Sequence, residues 1–191
     1  MFEFRRQLAH IAFGLGVMLL LHVFLSAYGS AGIEKLEMLL VGLFLIGVIL
    51  LDLKLKEKRL PLIDEALEIL ERQDGLPAHG AFWYVLGVLA LLSFLRDANF
   101  MYASLLILAL GDGLSTLLGQ FGRMKLPYNS EKTFEGALAF FIGGLPAYFF
   151  VGAGGALASA VCALIESFKI DFDDNFVVPL ACIVIFKFVG A

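Results

Sequence analysis

Residues 100–136 read FMYASLLILALGDGLSTLLGQFGRMKLPYNSEKTFEG. The first eleven are an apolar run, and Gly111-Asp112 closes it with a carboxylate that has no basic residue within ten positions on either side. An ionised side chain at the centre of a membrane helix costs roughly 2.5–3.5 kcal/mol on insertion scales, so it needs a partner or a function. The polar stretch that follows is glycine-rich and carries Arg123, Lys125, Lys132 and Glu135. Basic groups and backbone amides beside a carboxylate suit an anionic ligand held with a cation.

Outward from this stretch the chain is apolar throughout. Of its 191 residues, 60% are hydrophobic and 17% are charged, against about 45–50% and about 25% in soluble domains. The expected class is all-α: a polytopic integral membrane helix bundle forming a single domain over 1–191. Apolar runs predict about seven transmembrane helices, near 8–28, 38–53, 80–95, 100–112, 136–151, a short sixth reaching Ile165, and 176–189. The fourth either ends or is interrupted at Gly111-Asp112. Arg5-Arg6 before an apolar run is also the pattern of a signal peptide, but the run is long for one and further spans follow, so a retained helix is expected.

The longest polar connection, 52–79, contains Pro61 and a helical alternation of Ile63, Ala66, Leu67 and Leu70 with Asp64, Glu65, Glu68 and Glu71. This predicts an amphipathic interfacial helix, packed over the protein's own polar mouth as readily as on lipid because its polar face is acidic. With the N-terminus in the cytoplasm, the inner segments hold Arg5, Arg6, Lys54, Lys56, Lys58, Arg59, Arg72, Arg123, Lys125, Lys132 and Lys169, eleven of the 14 basic residues. The positive-inside rule then places every polar loop rich in candidate chemistry on the cytoplasmic side. A net charge of −4 without a basic stripe excludes a general nucleic-acid binder. Cys162 and Cys182 form no metal or redox motif and read as packing residues.

Asp112, Ser115, Thr116 and Gly119 share one helical stripe. It reads as a cation-holding carboxylate with hydroxyls and a glycine gap near phosphate, or as a capped half-helix. Lys132-Thr133 with Glu135-Gly136 reads equally as a phosphate grip or as a solvated entry to the fifth span. His10, one turn after Arg6 and one turn before Gly14, either faces the site or is a packed histidine; His22 and His79 read as packed. Glu166, Asp171, Asp173, Asp174 and Asn175 crowd the last inner loop, either completing a metal or general-base site or capping the final span. No GxxxxGK[ST] phosphate loop occurs.

Together these motifs resemble the CTP-dependent polyprenol kinase family, which includes dolichol, phytol and diacylglycerol kinases. The resemblance lies in RRQLAHIAFGL at 5–15, EKRLPL at 57–62, ERQDGLPAHGAFWYVLG at 71–87, GDGLSTLLGQFGRMKL at 111–126, SEKTFEG at 130–136 and the ES…DN pair at 166–175. It implies transfer of the γ-phosphoryl of CTP to the hydroxyl of a membrane isoprenoid alcohol of the dolichol type, with a divalent cation, Mg2+. Asp112, Glu135 and Glu166 would be metal ligands, and Asp112, Lys132, Glu135 and Asp174 would serve catalysis. Gly111, Ser115, Gly119, Gly122, Arg123, Lys125, Thr133 and Gly136 would hold the nucleotide, with Arg6, His10, Glu57, Arg72 and Asn175 as further members. The Gly-Asp…Lys-Thr…Glu-Gly core is similar also to phosphatidate cytidylyltransferases, so a CDP-lipid synthase is the alternative reading. A small transporter with Asp112 at an ion site is a third, opposed by the lack of a repeated Gly-Asp feature.

Overall fold

The computed structural model describes residues 2–70 and 78–190. Apart from one small hairpin, the described chain is helical. In order it runs α1 (Phe2–Tyr28), α2 (Ala31–Leu55), α3 (Pro61–Leu70), α4 (His79–Phe94), α5 (Ala98–Leu106), a wide π-helical turn (Ile107–Asp112) and α6 (Gly113–Gly119). The antiparallel strands β1 (Lys125–Leu126) and β2 (Asn129–Thr133) follow. The chain continues through α7 (Phe134–Gly144), a tight turn (Leu145–Ala147), α8 (Tyr148–Val151), α9 (Ala153–Ser167) and α10 (Asp174–Val189). Among the described residues, four helical segments are long and apolar enough to cross a membrane: Glu3–Tyr28, Ala31–Leu55, Ala98–Gly119 and Phe134–Val151. The shorter α4 and α9 are apolar as well. The protein is an integral membrane helix bundle.

The Ala98–Gly119 segment is the axis of the bundle. Of its most apolar stretch 67% is buried, against 17% in α1 and 11% in α2. Met101, Ile107 and Leu108 are fully covered, and Phe140 of α7, Leu91 of α4 and Phe186 of α10 pack in the same core. The chain neither ends nor breaks at Gly111-Asp112, as the sequence suggests; it widens into the π-helical turn and continues for two more turns of α6. A wide turn leaves the helix intact where Asp112, its last residue, and Ser115, one turn later in α6, are buried.

Other differences from the sequence reading are local. The second helix begins at Ala31 rather than near residue 38, because its polar first turns have partners: Glu37 accepts from Ser93 Oγ, and the Lys35 ammonium lies 4.7 Å over the Tyr28 ring. The interfacial helix is present as α3, docked on the end of α2 through Lys54 and Asp64, whose carboxylate also accepts from the Leu60 amide at 3.1 Å. Its expected last turn at Glu71 falls outside the described residues. The hairpin stands where a loop was expected. Its tip is tied to the end of α9, with Asn129 Nδ2 donating to Ser167 O at 3.0 Å and Tyr128 Oη meeting Ser167 Oγ at 2.8 Å. Thr133 caps α7, its hydroxyl accepting from Gly136 N at 3.1 Å and donating to Gly119 O at 3.3 Å. Here α6 and α7 touch through their backbones: a Cβ on Gly136 would lie 3.1 Å from Gly119 Cα.

The buried Cys162 and Cys182 are free thiols in mutual contact, 3.7 Å between α9 and α10.

Candidate functional site

Because successive helices run up and down, one end of the bundle collects the start of α1, the ends of α6 and α9, the hairpin and the starts of α7 and α10. They enclose a polar cavity of about 530 Å³. Asp112, at the end of the wide turn, is a buried carboxylate of its wall, 7% exposed. Glu166, in the last turn of α9, is 2% exposed, and Asp174 opens α10. One oxygen from each of these three carboxylates lies within 4.8 Å of the others.

Lys132 reaches the group from β2. Its ammonium donates to Glu166 Oε1 and, at 3.2 Å, to Asp174 Oδ2. Ser115, one turn beyond Asp112, donates to the same Glu166 oxygen at 2.9 Å. Burial strips water from the Lys132 ammonium, but the two carboxylates outweigh this and hold its pKa above the ordinary 10.5. On the other side of Asp112 stands His10 of α1, its Nε2 3.5 Å from Asp112 Oδ2 and 3.1 Å from Leu108 O. Donation to that carbonyl fixes a proton on Nε2 and pins α1 to the wide turn. Tyr84 packs edge-on against the His10 ring, centroids 4.6 Å apart.

Three carboxylates around one ammonium leave an excess of negative charge with oxygen donors only. That donor set suits a hard divalent cation such as Mg2+ or Ca2+. The rest of the lining adds Arg6, held by Glu3 at 2.8 Å, Lys125, and Lys169, held by Glu131 at 2.7 Å. At the rim, Asp173 caps α10 and stands 3.5 Å from His79 Nδ1; its burial raises its pKa. Asn175 donates to Gly80 O at 3.4 Å, which ties α10 to α4.

Of the residues singled out from sequence, the structure brings Arg6, His10, Asp112, Ser115, Gly119, Lys125, Lys132, Thr133, Gly136, Glu166, Asp174 and Asn175 to this one cavity. Others it places elsewhere. Glu135, expected among the metal ligands, instead accepts from the Arg123 amide at 2.9 Å and the Met124 amide at 3.2 Å, bracing the turn before β1. Asp174 occupies the third corner in its place. Gly111 and Gly122 serve packing: a Cβ would lie 2.8 Å from the Phe140 ring at Gly111 and 2.4 Å from Thr133 Oγ1 at Gly122. Arg123 is absent from the lining, and Glu57 is an exposed turn residue with φ 57° after α2. Arg72 lies outside the described residues. The sequence reading missed Glu3 and Gln7. Their spacing with His10 and Gly14 makes one helical stripe, and this was the available signal. Gln7 is 2% exposed, and its Oε1 has no hydrogen-bond donor among the described residues.

No protein-family model matches the chain, and no solved structure matches it. Curated proteins do. The chain is 33% identical to an uncharacterized protein of Methanocaldococcus jannaschii, over 93% of this chain and 88% of that protein. It is 30% identical to the chloroplastic farnesol kinase of Arabidopsis thaliana, over 92% of this chain and 62% of the kinase. It is 32% identical to the chloroplastic phytol kinase 1 of the same plant, over 54% of this chain and 41% of the kinase. The chain thus spans about half the length of the named kinases it matches. With similarity to a farnesol kinase running over nearly its full length, and a core of Gly111-Asp112, Lys132-Thr133 and Glu135-Gly136, the chain belongs to the polyprenol kinase family.

Proposed function

We propose that this protein is a lipid-alcohol kinase that transfers the γ-phosphoryl group of a nucleoside triphosphate to the hydroxyl of a prenol in the membrane. The observation that carries this reading is the convergence of Asp112, Glu166, Asp174 and Lys132 in a polar cavity at one end of an apolar bundle. Such a site joins an aqueous donor to a bilayer-borne acceptor. The similarity to farnesol and phytol kinases supports an isoprenoid alcohol as acceptor. The family resemblance supports CTP as donor and a dolichol-type chain among the substrates to be tried. The weight of basic residues at the cavity end supports a cytoplasmic site and N-terminus.

Phosphoryl transfer is governed by positioning and charge neutralisation. Lys132, Arg6 and Lys125 are the cations on the cavity wall that would take phosphate charge. Gly119 and Gly136, both on the cavity wall, hold α6 and α7 in backbone contact beside these groups. Asp112, Glu166 and Asp174 would hold a divalent cation, which when bound neutralises charge on the phosphoryl oxygens. The prenol oxygen attacks the γ-phosphorus, the bond to the β–γ bridging oxygen breaks, and the nucleoside diphosphate leaves. The hydroxyl proton passes to a carboxylate. Asp174 is the best placed, because its side chain is 35% exposed while those of Asp112 and Glu166 are 9% and 2% exposed.

The test is transfer of label by purified protein in detergent or nanodiscs, with γ-labelled CTP or ATP and a panel of farnesol, phytol, a dolichol and diacylglycerol. The expected product is a labelled prenyl phosphate dependent on a divalent cation. Incorporation from α-labelled CTP with release of pyrophosphate would overturn the kinase in favour of a CDP-lipid synthase.

A further inference from the structure

A second cavity of about 470 Å³ lies on the outer side of α9 and α10. Its lining is apolar, drawn from Val161 and Ile165 of α9 and from Phe176, Leu180, Ala181 and Val184 among others on α10. One residue, Phe172, lines both this groove and the polar cavity. The two helices are shared too. On α9 the groove residue Ile165 is followed directly by Glu166, and on α10 Asp174 stands two positions before the groove residue Phe176. The groove therefore begins at the rim of the carboxylate site and descends along α10 from Phe176 to Ile185, about 13 Å at the helical rise. Trp83 marks its mouth, with ring centroids 5.2 Å from Phe176 and 6.5 Å from Phe172. Aromatic clusters of this kind favour the level where hydrocarbon meets headgroups.

We propose that this groove holds the hydrocarbon chain of the acceptor alcohol and delivers its hydroxyl over the Phe172 rim to Glu166 and Asp174. The assignment rests on the lipid-alcohol kinase reading for the identity of the acceptor. It adds where the chain lies and what sets its preferred length. An apolar channel that ends at polar groups matches a molecule with one polar end. Inside a bilayer, burying apolar surface gains nothing by itself, because lipid tails are equally apolar. The groove's preference therefore comes from shape and dispersion contacts. Ala181, the smallest residue of the α10 wall, sets the groove's width at mid-depth.

Two experiments test this. The first compares kcat/KM for farnesol with that for a five-carbon prenol in wild type, Ala181→Trp, Val184→Trp and, as a control outside the groove, Leu157→Trp. The preference for the longer alcohol is expected to fall at least tenfold in the first two variants and to stay unchanged in the third. Equal losses on both alcohols, or none, overturn the assignment. The second needs no turnover. A prenol carrying a terminal diazirine is photolysed with wild-type protein in phosphatidylcholine vesicles. Label is expected on the 180–185 segment, competed by unlabelled prenol and not by extra phospholipid. Label spread over all lipid-facing helices, or competed by phospholipid, identifies the groove as an ordinary acyl-chain contact and overturns the proposal. Labelling of 180–185 without phosphoryl transfer to any alcohol would overturn the kinase reading alone.

Discussion

Lys132 and Ser115 donate to the same oxygen, Oε1 of Glu166. The hairpin and α6 are thus joined through a carboxylate on α9, and neither donor is free to move without the other losing an oriented acceptor. Glu166→Gln keeps the volume and removes the charge. Transfer is expected to fall about 100-fold, the scale seen when one preorganised polar group is removed from a phosphoryl or acyl site. Lys132→Ala made in the Glu166→Gln background should cost much less than the same change in wild type, since residues of one network are not additive. Measurement of kcat/KM over the four-member cycle checks this; additive losses would show that the two act separately.

The third corner of the carboxylate group separates two readings of the cation site. Asp174→Asn is expected to weaken the apparent affinity for Mg2+ by about tenfold or more and to lower turnover. Glu135→Gln, whose parent carboxylate serves the Arg123 and Met124 amides, should leave the Mg2+ titration unchanged. Its effect should appear as a higher KM for the nucleotide, through a looser turn before β1. Titration of activity against Mg2+ at saturating nucleotide distinguishes them, and a shifted Glu135→Gln curve would restore that residue to the cation set.

Packing of α4 against α10 depends on one missing side chain. A Cβ on Gly87 would lie 2.3 Å from the backbone oxygen of Asn175 and 2.7 Å from Pro179 Cγ. Gly87→Ala must push α10 outward at the turn that carries Asp174. A loss of about 1–3 kcal/mol is expected, as for overpacking elsewhere, together with reduced transfer. Gly42 on α2 has nothing within 4 Å of its Cβ position. Gly42→Ala should be neutral or stabilising by up to about 1 kcal/mol. Thermal melting in detergent compares the pair.

The Lys132 pair also carries a pH signature. Its folded-state pKa is raised above 10.5 by Glu166 and Asp174, against the opposing effect of burial. A lysine raised on folding contributes its stabilisation fully below the unfolded value, and that contribution fades as pH climbs through the folded value. The gap in melting temperature between wild type and Lys132→Met should stay constant from about pH 8 to about pH 10 and close only above that. A gap that closes near neutrality would show that the ammonium is not held by the two carboxylates.

Much of this molecule was legible in its sequence. Apolar runs gave the helices, because a bilayer forces backbone polar groups into helical pairing. Asp112 announced the site because a carboxylate closing an apolar run needs a reason. Less was legible where long-range partners decide. The second apolar run begins only near residue 38, yet Ser93 and Tyr28 give Glu37 and Lys35 partners and α2 starts at Ala31. The hairpin was hidden because β1 is two residues long and β2 is the polar run Asn129–Thr133, so no apolar alternation appears. The choice of Asp174 over Glu135 beside Asp112 and Glu166 depends on where α10 begins in space, which spacing along the chain does not encode.

The wide turn at Ile107–Asp112 makes helical phase a functional variable. An ordinary α-helical residue advances about 100° around the axis. Shortening 107–111 by one residue would leave a hydrogen-bonded helix of nearly the same length, but would swing Asp112 away from Glu166 and Asp174 while α5 stayed seated in the core. The orientation of the bundle's central carboxylate thus depends on the register of the wide turn, and a deletion too small to disturb hydropathy or span count is expected to abolish transfer.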